Sequence, residues 1–465
     1  MKTSHATIEA DTEVVVIGNG PAGLSVSAFL SGVLPFYNSS HPHHNPNVHK
    51  RLRRKELMSL LDQDLSWFNC VDDRGLRPIS QLYDSLARPV DSSQSSLRWI
   101  HDPSLTVPHV VLGATPVGGS WSTFDPEMLA VSIGGWLDLP AFPISAYLGS
   151  TMSERRIPAS IISAYMKAYT EKLGMADHIQ PGTTVTRISK QENGVWLVEG
   201  EHSDGSAFSL TCRKIVVATG KMQSRLLQVE GESQCTRVVY DVRSLKDRMA
   251  NQEESSTVSR VIVVGDGVSS ADAVTYCMER GVEVVHVMKK GESALRNSSM
   301  SNMSSSVYPE YNRVHRLMTG RARDALYTRH TAATVLSVHN HPKGWAVVRL
   351  RTAKGHIVEE RCSFIAACVG KKSTLVGVMP DDMEIGNDYI TPYDNVYCVG
   401  SAAGDHFVRF LIGGCLQVAQ CIVSEYRGSK NCVRRRLRLF LNLQLILSLK
   451  ILIHFHYKFL VDTGM

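Results

Sequence analysis

Val14-Val15-Val16-Ile17-Gly18-Asn19-Gly20-Pro21-Ala22-Gly23-Leu24 is the stretch on which the fold of this chain turns. An apolar run ends in two glycines one residue apart, with a third glycine three positions on. The pattern reads as a buried strand, a tight turn and a helix. Glycine there lets backbone approach a pyrophosphate, and the helix N-terminus faces the anion's charge. It recurs once, in Val261-Ile262-Val263-Val264-Gly265-Asp266-Gly267-Val268-Ser269-Ser270, where Ser270 takes the third small position. One such turn is a weak signal. Two in one chain predict two dinucleotides held face to face, the arrangement that joins a nicotinamide to a flavin.

Working outward, 465 residues suffice for two or three domains. A β-meander is expected over Thr183–Ile188, Gly194–Val198 and Phe208–Cys212, closing in Lys214-Ile215-Val216-Val217-Ala218-Thr219-Gly220. Arg260–Lys290 reads as a second β-α-β unit, followed by a strand pair at Trp345–Leu350 and Ile357–Cys362. Phe364-Ile365-Ala366-Ala367-Cys368-Val369-Gly370 echoes the Ala-Thr-Gly strand. Val396 to Asp405 is a strand ending in Gly404-Asp405, with a helix over Gly413–Tyr426. The expected fold class is therefore α/β with two dinucleotide-binding, Rossmann-like domains, the nicotinamide domain inserted in a split flavin domain. Residues 1–230 and 360–430 form the flavin domain, 231–359 the nicotinamide domain and 431–465 a separate basic and apolar tail.

The second strand of the first unit is delayed. Pro35-Phe36-Tyr37-Asn38-Ser39-Ser40-His41-Pro42-His43-His44-Asn45-Pro46 reads as no strand, and the next good one is Val107–Leu112. Residues 34–106 are then an insertion, with one helix expected over Lys55–Asp64. Ile157–Leu173 has the spacing of an amphipathic helix. The spacing of His41, His43, His44 and His49 is irregular and lacks interleaved Cys or acidic partners, so a polar loop is favoured over a metal site.

The motifs assign residues to chemistry. Gly18, Gly20 and Gly23, with Pro21 and Ala22 opening the helix, would hold the flavin pyrophosphate. Thr219 and Gly220 close a strand against the same cofactor. Asp405, after Gly404, would accept from the ribityl hydroxyls. Gly265, Gly267 and Ser270 would hold the second pyrophosphate. The strand Val282–Met288 ends in Lys289-Lys290, where an acidic residue would suit NAD and lysines would pair with a 2′-phosphate; NADPH is expected.

Composition bounds the rest. Apolar content of 43% and charged content of 20% are ordinary for a globular protein. The net charge of +6 sits largely in Lys50–Lys55 and Arg434–Arg438, without the broad basic face and interleaved aromatics of a nucleic-acid binder. Ten cysteines include no C-x-x-C pair, and the N-terminus shows no secretory pattern. Reduced thiols in a cytoplasmic or nuclear protein are expected. The apolar run Leu437–Val461 is interrupted by Arg438, Lys450 and Lys458, a poor membrane span; a basic helix lying on a membrane is the less favoured reading of it.

The combination Gly-x-Gly-Pro-Ala-Gly-Leu, Gly118-Gly119-Ser120-Trp121, Ala-Thr-Gly, Gly-x-Gly-x-Ser-Ser-Ala-Asp and Gly-Asp resembles the class B flavin-dependent monooxygenases. The long insertion, Pro108–Gly113 and Gly134-Gly135-Trp136-Leu137-Asp138-Leu139-Pro140 narrow this. They resemble the oxidative stress-induced growth inhibitor family, over residues 13 to about 430. The resemblance implies FAD and NADPH as cofactors, Gly118, Gly119 and Trp121 beside the flavin, and O2 with a nucleophilic substrate. It also implies a link to cell growth, differentiation and death, through regulatory protein partners. Two departures stand out. Gly113 occupies the place of the acidic ribose ligand, and Gly231-Glu232-Ser233-Gln234-Cys235, followed by Tyr240, lacks the histidine of the monooxygenase fingerprint. A regulatory flavoprotein fold with weak or lost catalysis is the alternative they raise.

Overall fold

The computed structural model describes residues 10–70, 75–89, 94–251, 259–373 and 385–428. Its first sheet grows from Thr12–Ile17, whose valines are buried on both faces, as a continuous apolar run in a parallel sheet requires. That strand pairs in parallel with His109–Gly113 on one side and Ala207–Val217 on the other. The seven strands run Ile179–Pro181, His109–Gly113, Thr12–Ile17, Ala207–Val217, Trp196–His202, Thr183–Lys190, with Val396–Cys398 also parallel to Ala207–Val217. The delayed second strand is thus in place beside the first. The meander forms, its third expected strand and the Ala-Thr-Gly strand being one continuous strand.

The insertion differs from expectation in two ways. Val33–Tyr37 is a strand, paired antiparallel with Leu97–His101 and outside the main sheet. Pro35 is tolerated because both strands of a two-stranded ribbon are edges, where a missing N–H need not break a ladder. The helix expected over Lys55–Asp64 is absent. A helix forms instead at Pro46–Arg53, where the Asn45 side chain accepts from the Asn47 N–H and Pro46 fixes the first turn. Leu60–Asp62 is a single 3-10 turn. A further helix, Pro78–Ala87, has Pro78 in its first turn and buries Ile79, Leu82 and Leu86.

The second unit is a five-stranded parallel sheet in the order Val238–Val239, Phe364–Ala367, Arg260–Val264, Glu283–Val287, Tyr327–His330. A three-stranded antiparallel sheet, Thr334–Asn340, Ala346–Arg351 and Ile357–Cys362, accompanies it. The boundary expected at 359/360 therefore moves: Phe364–Ala367 belongs to the second unit. The crossings between units are Gln223–Ser224 and Lys371–Lys372, which pair with each other. The echo between the two small-residue strands has a physical cause. A Cβ on Gly18 would lie 2.4 Å from the Ala218 carbonyl oxygen, and one on Gly265 would lie 2.2 Å from that of Cys368. Each turn passes under the neighbouring strand's end, in the same way in both sheets.

Helix Val408–Gly428 is long and apolar enough to cross a membrane, but Ile412, Cys415, Ala419 and Ile422 are buried in the first unit's core. It is a core helix. The basic and apolar tail, residues 431–465, with its suggested membrane contact, lies outside the described residues.

The units also meet side to side. The Tyr308 hydroxyl donates to the Val131 carbonyl at 2.7 Å, Lys246 pairs with Asp125 and Glu127, and Arg156 pairs with Glu310. At this seam burial pushes Asp272 up to about 6, against the pull of the Tyr311 hydroxyl and Arg156. The native state therefore keeps a proton that the unfolded chain releases nearer the ordinary carboxyl value. Stability should fall as pH rises from the unfolded value to about 6 and level off above it. Asp272→Asn should remove that part of the slope in urea titrations run across this range.

Candidate dinucleotide sites

The first cleft, about 430 Å³, opens over the N-terminal turn. Gly18, Gly20, Pro21 and Ala22 line it, with Gly119 and Trp121, Thr219 and Gly220, and Asp405. These come from four separate stretches of chain, brought together by the ends of adjacent parallel strands. Helix Pro21–Leu30 starts at Gly20 with no side-chain cap, leaving its first N–H groups for a ligand. Gly119 closes on the turn so tightly that a Cβ there would lie 2.8 Å from the Gly20 Cα. Gly23, Gly118 and Gly404 are second to these and do not line the cleft. A Cβ on Gly23 would lie 1.8 Å from the Gly18 carbonyl oxygen, the Gly118 N–H donates to the Asn19 carbonyl at 3.0 Å, and Gly404 takes a positive φ of 102°.

The missing acid at Gly113 is explained by Asn19. A Cβ on Gly113 would lie 2.1 Å from the Asn19 side chain, which is buried and exchanges hydrogen bonds with Thr115. The Asn19 side chain thus occupies the space that an acidic side chain at position 113 would need. Sequence reasoning also passed over Lys221 and His406, which follow Ala-Thr-Gly and Gly-Asp and line the cleft. Burial, then the nearby Lys221, lower the His406 imidazole, so the ring is neutral near pH 7. Reading each motif one residue further would have found both.

The second cleft, about 600 Å³, is lined by Gly265, Asp266, Gly267 and Lys289, with Cys368 and Gly370 opposite. Helix Val268–Glu279 likewise starts at an uncapped glycine, Gly267. Ser270 is fully buried and its hydroxyl donates back to the Gly267 carbonyl at 2.6 Å; it packs the helix and does not face the cleft. Lys290 does not line the cleft either: its Nζ donates to Asp266 Oδ1 at 2.9 Å. Cys235 lies in the second unit's core, its Sγ 3.4 Å from Asn340 Oδ1. Tyr240 donates to Glu232, which also accepts from the N–H groups of Leu227 and Gln228. The fingerprint segment is therefore part of the domain's structure, outside both clefts.

Histidines of the insertion are held by protein partners: His49 by the Tyr37 hydroxyl, His41 by Asn38, His43 by Ser85, with His43 and His44 stacked. Lys50, Arg51, Arg54 and Lys55 line a groove with Trp67, over which the Arg51 guanidinium sits at 4.7 Å.

The residues present fit a dinucleotide in each cleft. The second glycine of each turn has an ordinary negative φ, and a Cβ would meet nothing nearer than 3.7 Å at Gly20 and nothing within 4 Å at Gly267. The fold itself does not require glycine there; a backbone-hugging ligand does. In the first cleft the buried Thr219 hydroxyl has no hydrogen-bond partner among the described residues.

Residues 104–395 match the family described as pyridine nucleotide-disulphide oxidoreductase, and the chain belongs to that class of two-dinucleotide flavoproteins. Solved structures agree on the fold. The bacillithiol disulfide reductase of Bacillus cereus superposes with a TM-score of 0.58 at 16% identity, over 89% of this chain and 99% of that one. The ornithine hydroxylase of Pseudomonas aeruginosa gives 0.56 at 12%, over 89% and 99%. Within the class the chain is a member of the oxidative stress-induced growth inhibitor family. It is 40% identical to the Caenorhabditis elegans homologue osgn-1, over 91% of this chain and 96% of that one, and 26% identical to human oxidative stress-induced growth inhibitor 1, over 89% and 95%. FAD and NAD(P)H are the cofactors this membership carries.

Proposed function

We propose that the chain is an NADPH-dependent FAD monooxygenase-like oxidoreductase, with FAD in the first cleft and NADPH in the second. The observation that carries this is the pair of uncapped helix N-termini, each opening at a glycine that only a ligand explains. FAD held there would supply the redox chemistry, hydride acceptance from NADPH and electron transfer to O2. The protein's own residues bind and orient. The turn N–H groups would hold each pyrophosphate, Thr219 and Asp405 would hold the first cofactor, and Lys289 would pair with the 2′-phosphate of the second. The neutral His406 imidazole lies at the cleft rim, where it can accept a proton.

Thiol chemistry is disfavoured. Burial pushes Cys368, the cysteine lining the second cleft, up to about 12, so it is a poor nucleophile at neutral pH. Among the relatives, a senecionine N-oxygenase of Tyria jacobaeae is 22% identical over 42% of this chain, in line with oxygenation of a nucleophile. A second reading, a regulatory flavoprotein fold acting through protein partners with weak turnover, is favoured by Asn19 closing the ribose-ligand position.

One experiment separates them. Purified protein should show a flavin band that NADPH bleaches without oxygen and air restores. Without added substrate the expected product is hydrogen peroxide, close to one per NADPH, by the balance NADPH + H⁺ + O2 → NADP⁺ + H2O2. Such peroxide would couple this chemistry to growth restraint. Flavin-loaded protein that oxidises no NADPH would overturn the oxidoreductase reading and favour the regulatory one.

A further inference from the structure

We propose that Arg77, contributed by the 34–106 insertion, clamps the Asp405 carboxyl in place at the first cleft, so that the insertion completes the flavin site. This rests on the reading of that cleft as the FAD site. Arg77 precedes helix Pro78–Ala87 and reaches out of the insertion into the loop before helix Val408–Gly428. Its Nη1 donates to Asp405 Oδ1 at 2.9 Å. Nη2 donates to the carbonyls of Ala403 and Ile385, each at 2.8 Å, and Nε to that of Gly386 at 3.1 Å. The guanidinium also lies 4.6 Å over the Tyr389 ring, and the Tyr389 hydroxyl donates to Asp405 Oδ2 at 2.8 Å. Both carboxylate oxygens are thereby fixed in direction, and each keeps a lone pair for a ligand hydroxyl.

The insertion is closely packed in this position. A Cβ on Gly413 would lie 2.5 Å from the Ile79 carbonyl oxygen, and one on Gly414 would lie 2.3 Å from the Tyr389 ring. Two consecutive glycines thus let the insertion's helix and Tyr389 press directly on the C-terminal helix. Ser80 meets the Tyr389 hydroxyl at 3.1 Å, and Arg409 Nε donates to Asp84 at 3.0 Å. A planar guanidinium with four directed bonds is a role lysine cannot fill.

The consequence is a charge state. Asp405 is buried, which raises its carboxyl, while Arg77 and the Tyr389 hydroxyl oppose the rise. His406 adds a smaller opposing pull; the Cys398 and Cys415 thiols, also close by, are themselves pushed up by burial and stay neutral. Ligand hydroxyls donate best to the ionised form. Flavin affinity is therefore present above the Asp405 pKa and lost as pH falls through it, and removing Arg77 moves that loss upward, toward neutrality.

The test is FAD titration, by fluorescence quenching, of full-length apoprotein at a series of pH values from mildly alkaline to mildly acidic. The wild type should bind with little pH dependence. Arg77→Met should bind about tenfold more weakly at neutral pH, the loss of one charge-assisted hydrogen bond. It should weaken further toward about tenfold per pH unit on the acid side. Arg77→Lys should restore the flat profile but not the full affinity, and Asp405→Asn should be weak and flat. Far-UV circular dichroism of the apoproteins checks folding; should Arg77→Met be unfolded, Arg77→Lys and Tyr389→Phe carry the test. Tyr389→Phe, losing one opposing donor, should shift the profile the same way by a smaller amount. Arg77→Met or Tyr389→Phe with wild-type affinity and profile, or Arg77→Lys with an acid-sensitive one, overturns the role of Arg77 while leaving the flavin site intact. A folded wild type that takes up no FAD overturns the flavin reading, and this role with it.

Discussion

Gly20→Val protein is expected to fold, to melt close to the wild-type apoprotein, and to purify without flavin. The fold tolerates the change. Gly20 has φ −82° and ψ −172°, extended backbone that valine adopts readily, and the nearest atom to its new Cβ is 3.7 Å away. What the side chain obstructs is the approach of a pyrophosphate to the uncapped helix start. Losing two charge-assisted hydrogen bonds there costs about 3–6 kcal/mol, at least a hundredfold in affinity. Gly18→Ala is the contrasting variant. Gly18 has φ +118° and its Cβ would lie 2.4 Å from the Ala218 carbonyl, so that protein should be destabilised with or without ligand. Comparing melting curves with absorbance spectra of both variants distinguishes a binding glycine from a structural one. A full flavin complement in Gly20→Val would remove the assignment of the first cleft.

The same distinction explains what was legible in the sequence. Runs such as Val14–Ile17 and Val261–Val264 announce themselves because a strand buried on both faces must be apolar throughout, and the glycines after them because backbone must pass close to something. The parallel sheets and the two turns follow from that local logic. The domain boundary did not, because Phe364–Ala367 has the same composition whichever sheet it joins; only its register beside Arg260–Val264 decides. The insertion was read worst. Its helices at Pro46–Arg53 and Pro78–Ala87 are short and begin at prolines, and their stability comes from packing, which no periodicity over so few residues reveals. Arg77 was invisible for a related reason: its partners lie more than 300 positions away in sequence. The Gly-Asp motif points to Asp405, which lines the first cleft, but the residues that hold its carboxyl are contributed by the fold.

Lys289→Ala is expected to raise the KM for NADPH about tenfold while leaving that for NADH nearly unchanged, in steady-state assays at low salt. Both lysines end the strand beside the second turn, but the structure separates them. Lys289 lines the cleft and forms no ion pair among the described residues, whereas Lys290 is held by Asp266, itself in the turn, at 2.9 Å. A 2′-phosphate carries close to two negative charges and pairs with lysine as with a point charge, worth about 1–2 kcal/mol at an exposed site. Lys290→Ala should therefore cost less, roughly threefold, because part of its charge already answers Asp266. Asp266→Asn should do the reverse, freeing Lys290 and lowering the KM for NADPH. All three effects should shrink as salt rises, since both lysines are exposed. Equal changes for NADPH and NADH in Lys289→Ala would show that the lysine supports the cleft without reading the phosphate. An unchanged KM in Asp266→Asn would show that the Lys290 ion pair is a surface contact with no bearing on cofactor choice.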